Sequence, residues 1–163
     1  MPRLELVADC DACAALCCVW LAFDESPAFA FSKPAGLPCR YITSDCRCAI
    51  HAKLARRGFA GCAAYDCHGA GQRATALFAR AGALSDREKQ DAFATLRELH
   101  ELLWVLDGAA RLCDDDELRA ELAAVISALD AIASSSIDMV LDADLRSHRA
   151  AARALLRRVR ARG

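Results

Sequence analysis

The 163-residue sequence has little of what builds a large aromatic core or a membrane span. Aromatic residues make up 6% of the chain, and the longest uncharged stretch, residues 12–23, falls well short of the roughly 20 apolar residues that cross a bilayer. An excess of either charge is missing too. The 21 Lys and Arg against 22 Asp and Glu leave a net charge of −1, which excludes a strongly basic nucleic-acid binder, while a hydrophobic content of 55% excludes wholesale disorder. Residues 1–9 carry acids where an export signal needs a basic segment and then an apolar run, so a cytoplasmic location is expected, with no membrane contact. Gly69-Ala70-Gly71-Gln72 is too short for a phosphate or dinucleotide fingerprint. No convincing acid–base pair stands outside the thiols, and no catalytic residue is assigned.

Cysteine is abundant: ten residues, nine of them between Cys10 and Cys67. In a reducing compartment such thiols stay free or bind metal, whereas outside the cell they would read as a disulfide framework. Their order is Cys10-x2-Cys13-x3-Cys17-Cys18, then Cys39, then Cys46-x-Cys48-x2-His51, then Cys62-x4-Cys67-His68. Short spacings let one backbone turn offer two sulfurs to one ion, as in structural zinc and iron–sulfur sites. The spacing matches no standard finger, ribbon or ferredoxin, which leaves the metal open. Neighbouring side chains point about 100° apart in a helix and to opposite faces in a strand, so Cys17 and Cys18 suit two centres, or one is a ligand and the other is buried. With Cys46 set aside, eight thiols remain in the first half, enough for two four-cysteine sites that divide this pair. A four-thiolate zinc site carries about −2, and Arg40, Arg47, Lys53, Arg56, Arg57 and Arg73 are near enough in sequence to offset it. Gly58, Gly61, Gly69 and Gly71 flank the late cysteines and let backbone amides turn toward sulfur.

The chain divides near residues 80–86. Residues 1–84 hold nine cysteines and all four prolines, and read as a loop-rich metal-binding module. Residues 85–163 hold one cysteine and no proline, and read as a three-helix antiparallel bundle packed with that module as one unit. The expected fold class is therefore mainly α. Ser85 with Glu88 forms a capping box ahead of Phe93, Leu96, Leu99, Leu103 and Leu106, with Gly108 as the expected stop. The acids at 114–117 open a second helix along Leu118, Leu122, Val125, Leu129 and Ile132. After Ser134, Ser135 and Ser136 a third runs from Ile137 through Leu141, Leu145, Ala152, Leu155 and Val159. Its seven arginines, from Arg146 to Arg162, are expected to be solvated or to meet the acids of the two preceding helices rather than nucleic acid. His100 and Trp104 read as core packing, and Cys113 as a buried small residue or a loose surface thiol. His68 reads as an exposed loop residue or an extra ligand.

The run Cys10-x2-Cys13-x3-Cys17-Cys18, Lys33-Pro34-Ala35-Gly36 before Cys39, Arg47-Cys48-Ala49-Ile50-His51, Gly58-Phe59-Ala60-Gly61-Cys62 and Tyr65-Asp66-Cys67-x-Gly69-Ala70-Gly71-Gln72 resemble the N-terminal cysteine-rich region of actinobacterial pentapeptide-repeat proteins. Leu99-His100-Glu101-Leu102-Leu103-Trp104 looks like the helical region that follows it. More distantly, the pattern is similar to the family of zinc- or iron-chelating domains with a CxxCxxCC-type motif. The resemblance implies Cys10, Cys13, Cys17, Cys18, Cys39, Cys48, Cys62 and Cys67 as the metal set, with Cys46 and Cys113 extra. The repeats themselves are absent, Ala143-Asp144-Leu145-Arg146 being a single echo, so a DNA-mimicking β-helix is not implied.

The leading expectation is a non-enzymatic metal-binding protein holding zinc or an iron–sulfur cluster, with the helical half serving a protein partner or self-association. Metal can supply folding free energy on the order of 10 kcal/mol, which a small aromatic-poor module needs. The alternatives are an iron–sulfur redox or metalloenzyme component, and storage or sensing of a soft ion such as copper(I).

Overall fold

In the computed structural model, which describes residues 6–162, the capping box is formed. Ser85 Oγ accepts from the Glu88 amide at 3.2 Å, and a Glu88 carboxylate oxygen accepts from the Ser85 amide at 2.8 Å. The helices are α1 (Leu16–Trp20), α2 (Ala60–Ala64), α3 (Ala70–Arg80), α4 (Asp86–Leu112), α5 (Asp116–Ala133), α6 (Ile137–Leu141) and α7 (Leu145–Arg162), with 3-10 turns at Cys10–Ala12, His51–Lys53 and Ala55–Arg57. The chain is mainly α. Among the described residues the extended pairing consists of isolated antiparallel bridges, Phe23–Lys33, Ser26–Phe29 and Ile42–Cys48.

The apolar stripe of α4 is buried as its spacing predicts: Phe93, Leu96, Leu99, Leu103 and Leu106 are each at most 1% exposed. Gly108 does not end the helix. A glycine inside a helix costs only about 1 kcal/mol, and the Asp107–Arg111 pair spans the next turn, so α4 runs on to Leu112. Asp115 accepts from the Leu118 amide at 2.8 Å and caps α5. The buried residues of α5 are Leu118, Leu122, Ile126, Leu129 and Ala133, while Val125 and Ile132 flank them half-buried. The last segment is two helices, not one. Asp144 Oδ1 accepts from the Ser147 amide at 3.1 Å, and this cap starts α7 afresh after the break at 142–144.

Helix α4 is the hub, touched by α3, α5, α6 and α7. The assembly around it is larger than the three helices expected, because Ala70–Arg80, read from sequence as part of a loop-rich module, is helical. Ala70, Ala74 and Leu77 form its buried face and join Leu16 in the same core as α4–α7. The rest of the cysteine-rich half has a small aromatic cluster, Phe23, Phe29, Phe31, Tyr41 and Phe59, with ring centroids 4.5–6.3 Å apart. Gly61 sits against the Phe29 ring, where any Cβ would collide with it.

No described helix is long and apolar enough to cross a membrane.

Candidate metal centre

Helix α3 is the platform for the first thiol loop. Gln72 accepts from the Asp9 amide at 3.1 Å and donates to the Val7 carbonyl at 2.8 Å, and Thr75 Oγ1 accepts from the Ala14 amide at 3.0 Å. Asp9 in turn accepts from the amides of Asp11 and Ala12, curling residues 10–12 into their 3-10 turn. These bonds carry Cys13 onto Gly71. A Cβ there would lie 2.8 Å from Cys13 Sγ and 3.6 Å from Cys67 Sγ, so the two sulfurs flank one point where the helix has no side chain. Cys13, Cys17 and Cys67 all pack against the helical core.

The backbone at Cys18 is tied to other loops. The Cys39 amide donates to the Cys18 carbonyl at 3.0 Å, the Ile42 amide donates to Cys39, and Ile42 bridges to Cys48. Cys62 lies on α2, whose Gly61 amide donates to the Ala28 carbonyl. Arg47, next to Cys48, ties this loop to the other one: its guanidinium donates to the carbonyls of Cys10 and Asp11 and pairs with the Asp11 carboxylate at 2.9 Å.

The thiols also act on one another electrostatically, with Cys17 acting on both Cys10 and Cys62. Burial pushes the Cys10 thiol up, and the charges of Cys17, Cys13 and Cys67 push it further. Burial likewise raises Cys13, with Cys17 and Cys67 adding to the rise. Cys62 is pushed up to about 11 by burial and then by Cys17, Cys39 and Cys48. The sulfurs of Cys17 and Cys18 lie 3.9 Å apart. The bond between these two thiols holds Cys17 down, to about 7, with the Arg97 charge contributing to the fall. The same bond is the main reason that Cys18 is raised, followed by burial and by the charges of Cys17, Cys48 and Cys39.

Of the cations that sequence proximity suggests, Arg47 reaches the Cys10 carbonyl, while three others are engaged elsewhere. Arg40 stacks on Phe31 at 3.8 Å, Arg57 lies over Tyr41, and Arg73 bonds Ser134 and pairs with Asp130. Lys33 and Arg97, which sequence proximity did not single out, also stand near the thiols. Lys33 is 5% exposed and donates to the carbonyls of Val19, Pro34 and Leu37 at 2.8–3.0 Å. Burial lowers its pKa against the opposing pull of Cys39, Cys18 and Cys17. Arg97, on α4, donates to the Tyr65 hydroxyl at 2.7 Å and lies over the Tyr65 and Phe93 rings.

His68 is half-buried rather than exposed. It stacks on Trp104 at 4.7 Å, and its carbonyl meets His100 Nδ1 at 2.6 Å. Thus His100 is core, 1% exposed, while Trp104 is 53% exposed and covers His68. A cleft of about 210 Å³ beside them is lined by Tyr65, Asp66, Cys67, His68, Arg97 and Glu101. Cys46 is exposed at φ 60° and His51 is exposed, whereas Cys113 is buried near the α4–α5 turn with its thiol 3.6 Å from the Asp115 carbonyl.

Among the described residues, no three Cys, His, Asp or Glu side chains converge as a closed metal-holding group. The donor set nevertheless suits a metal. Two soft sulfurs, of Cys13 and Cys67, flank the space over a glycine, those of Cys17 and Cys18 lie 3.9 Å apart, and among the described residues the buried Lys33 ammonium has no carboxylate partner.

No protein-family model matches the chain, and no solved structure matches it. A curated protein of Bacillus subtilis (strain 168), the uncharacterized protein YybG, is 34% identical over 151 residues, covering 90% of this chain and 54% of that protein. The chain spans about half the length of this relative.

Proposed function

We propose that this protein is a non-enzymatic metal-binding module in which Cys10, Cys13, Cys17, Cys18, Cys39, Cys48, Cys62 and Cys67 coordinate zinc. One observation carries the reading. Residues 6–68 bury only Leu16, Lys33 and Phe59, so beyond one small, largely half-exposed aromatic cluster this segment has little apolar interior to order its loops, and seven of the eight thiols, all but exposed Cys10, are half-buried in it. A thiolate–metal bond supplies the missing cross-link, and all-cysteine ligation favours a closed structural site over an open catalytic one. The resemblance to the cysteine-rich region of pentapeptide-repeat proteins belongs to this proposal as the module's kinship.

The helical half is proposed as an interaction surface for a protein partner or a second copy, supported by exposed Trp104, Leu112 and Met139. Two of the basic side chains of α7 are engaged within the fold, Arg149 with Glu98 and Arg158 with Glu121, which favours a protein over nucleic acid.

The test is elemental analysis and an absorption spectrum on anaerobically purified protein, with a thiol titration in denaturant. Stoichiometric zinc, no visible bands and reduced thiols are expected. Iron with sulfide and absorption near the violet would replace zinc by a cluster, bound copper would point to storage or sensing, and a metal-free protein with paired thiols would overturn the reading.

A further inference from the structure

We propose that the eight thiols form two separate four-thiolate sites, each with its own built-in cation: Cys10, Cys13, Cys17 and Cys67 beside Arg97, and Cys18, Cys39, Cys48 and Cys62 beside Lys33. This rests on the metal-binding reading and deepens it. Each site takes one tetrahedral divalent ion of zinc's kind, and every thiol still protonated when the ion arrives releases its proton to solvent.

The division follows the backbone. Cys13 and Cys67 share the gap over Gly71, and with Cys17 they rest on the helical core, while α3 holds the turn that carries Cys10. Cys18 is joined to Cys39 by a backbone bond, and Cys39 to Cys48 through Ile42. Cys17 is the foremost charged neighbour of both Cys10 and Cys62; beyond it, Cys10 has Cys13 and Cys67, and Cys62 has Cys39 and Cys48. Cys17 lies where the groups adjoin, its sulfur 3.9 Å from that of Cys18, and its packing on the helical core, shared with Cys13 and Cys67, assigns it to the first.

The cations are independent evidence. A buried ammonium without a carboxylate partner is costly unless another negative charge balances it. Lys33 is fastened by the carbonyls of Val19 and Leu37, which lie next to Cys18 and two residues before Cys39, and this pins the positive charge beside those two thiols. Arg97 is pinned in the same manner by the Tyr65 hydroxyl, two residues before Cys67. Each therefore offsets part of the roughly −2 charge of a four-thiolate zinc site.

The full chain is loaded with zinc, and separately with cobalt(II) as a spectroscopic probe. The expected result is two ions per wild-type chain, one in the double variant Cys13→Ser/Cys67→Ser and one in Cys39→Ser/Cys62→Ser, each remaining cobalt ion keeping a tetrahedral four-thiolate spectrum. Lys33→Met and Arg97→Met should each keep two ions but weaken one site by about tenfold in competition with a chromophoric chelator, with Arg97→Lys restoring most of the loss. Cadmium-observed NMR of the wild-type chain covers the case in which a double variant fails to fold, and two resonances coupled to non-overlapping sets of four cysteines are expected. A cysteine coupled to both resonances, or one ion for all eight thiols, overturns the division and leaves metal binding standing. Absence of any bound ion in the wild type overturns both.

Discussion

Gly71 is the position where one atom decides most. Its missing Cβ is the space between Cys13 and Cys67, and a methyl group 2.8 Å from Cys13 Sγ has to move either the thiol or α3. Gly71→Ala is expected to lower the zinc content and the melting temperature together, even though alanine is the better helix former; an alanine variant with full zinc content and a raised melting temperature would refute this. His100 sets the second expectation at this scale. Its burial lowers its pKa below the usual 6.5, against a raising contribution from its bond to the His68 carbonyl. The unfolded chain then takes up this proton at a higher pH than the folded one, so stability falls as the pH drops below about 6.5 and levels off only beneath the folded pKa. An NMR titration of the imidazole should have its midpoint below 6.5, and His100→Gln should remove that part of the pH slope in denaturant melts.

Among the helices, α4 carries the load, since every other long helix packs on it. Leu99 is fully buried at its centre, and Leu99→Ala should cost about 3 kcal/mol in chemical denaturation. Ser85→Ala removes the oxygen that accepts from Glu88 and should cost about 1 kcal/mol, with no change in bound metal. Comparing the two separates helix integrity from the thiol sites, because Ser85 lies on the side of α4 that begins the helical half, away in sequence from every proposed ligand. Helix α3 couples the two: it buries Ala70, Ala74 and Leu77 in the core and holds the first thiol loop through Gln72 and Thr75.

For the molecule as a whole, the two halves should respond differently to loss of metal. Chelator treatment under reducing conditions is expected to loosen residues 6–68, seen as rapid amide exchange and protease cleavage there, while most of the helical circular dichroism from α4, α5 and α7 persists. Their buried core consists mainly of leucines and alanines of the helices themselves, with Cys13, Cys17 and Cys67 only partly buried against it. Unchanged protection of residues 6–68 after complete chelation would remove the argument that metal replaces a core there.

Local chemistry made part of this legible. A capping box and an apolar stripe are set by residues three and four apart, so the start of α4 and its buried leucines could be read directly, as could the opening of α5 by its acids. Spacing and resemblance also singled out the eight thiols of the proposed sites. What sequence could not supply was anything set by distant neighbours. Helix α3 was hidden among glycines and cysteines because its stability comes from burial of Ala70, Ala74 and Leu77 against partners far along the chain. Closeness in sequence was an uneven guide to the cations: Arg47 does reach the Cys10 carbonyl, but Arg40 and Arg57 lie over aromatic rings, and Lys33 and Arg97, not singled out by sequence, stand near the thiols. Sequence spacing determined which side chains share a turn; only the tertiary structure decided which turns meet, because that depends on packing and charge summed over the whole chain.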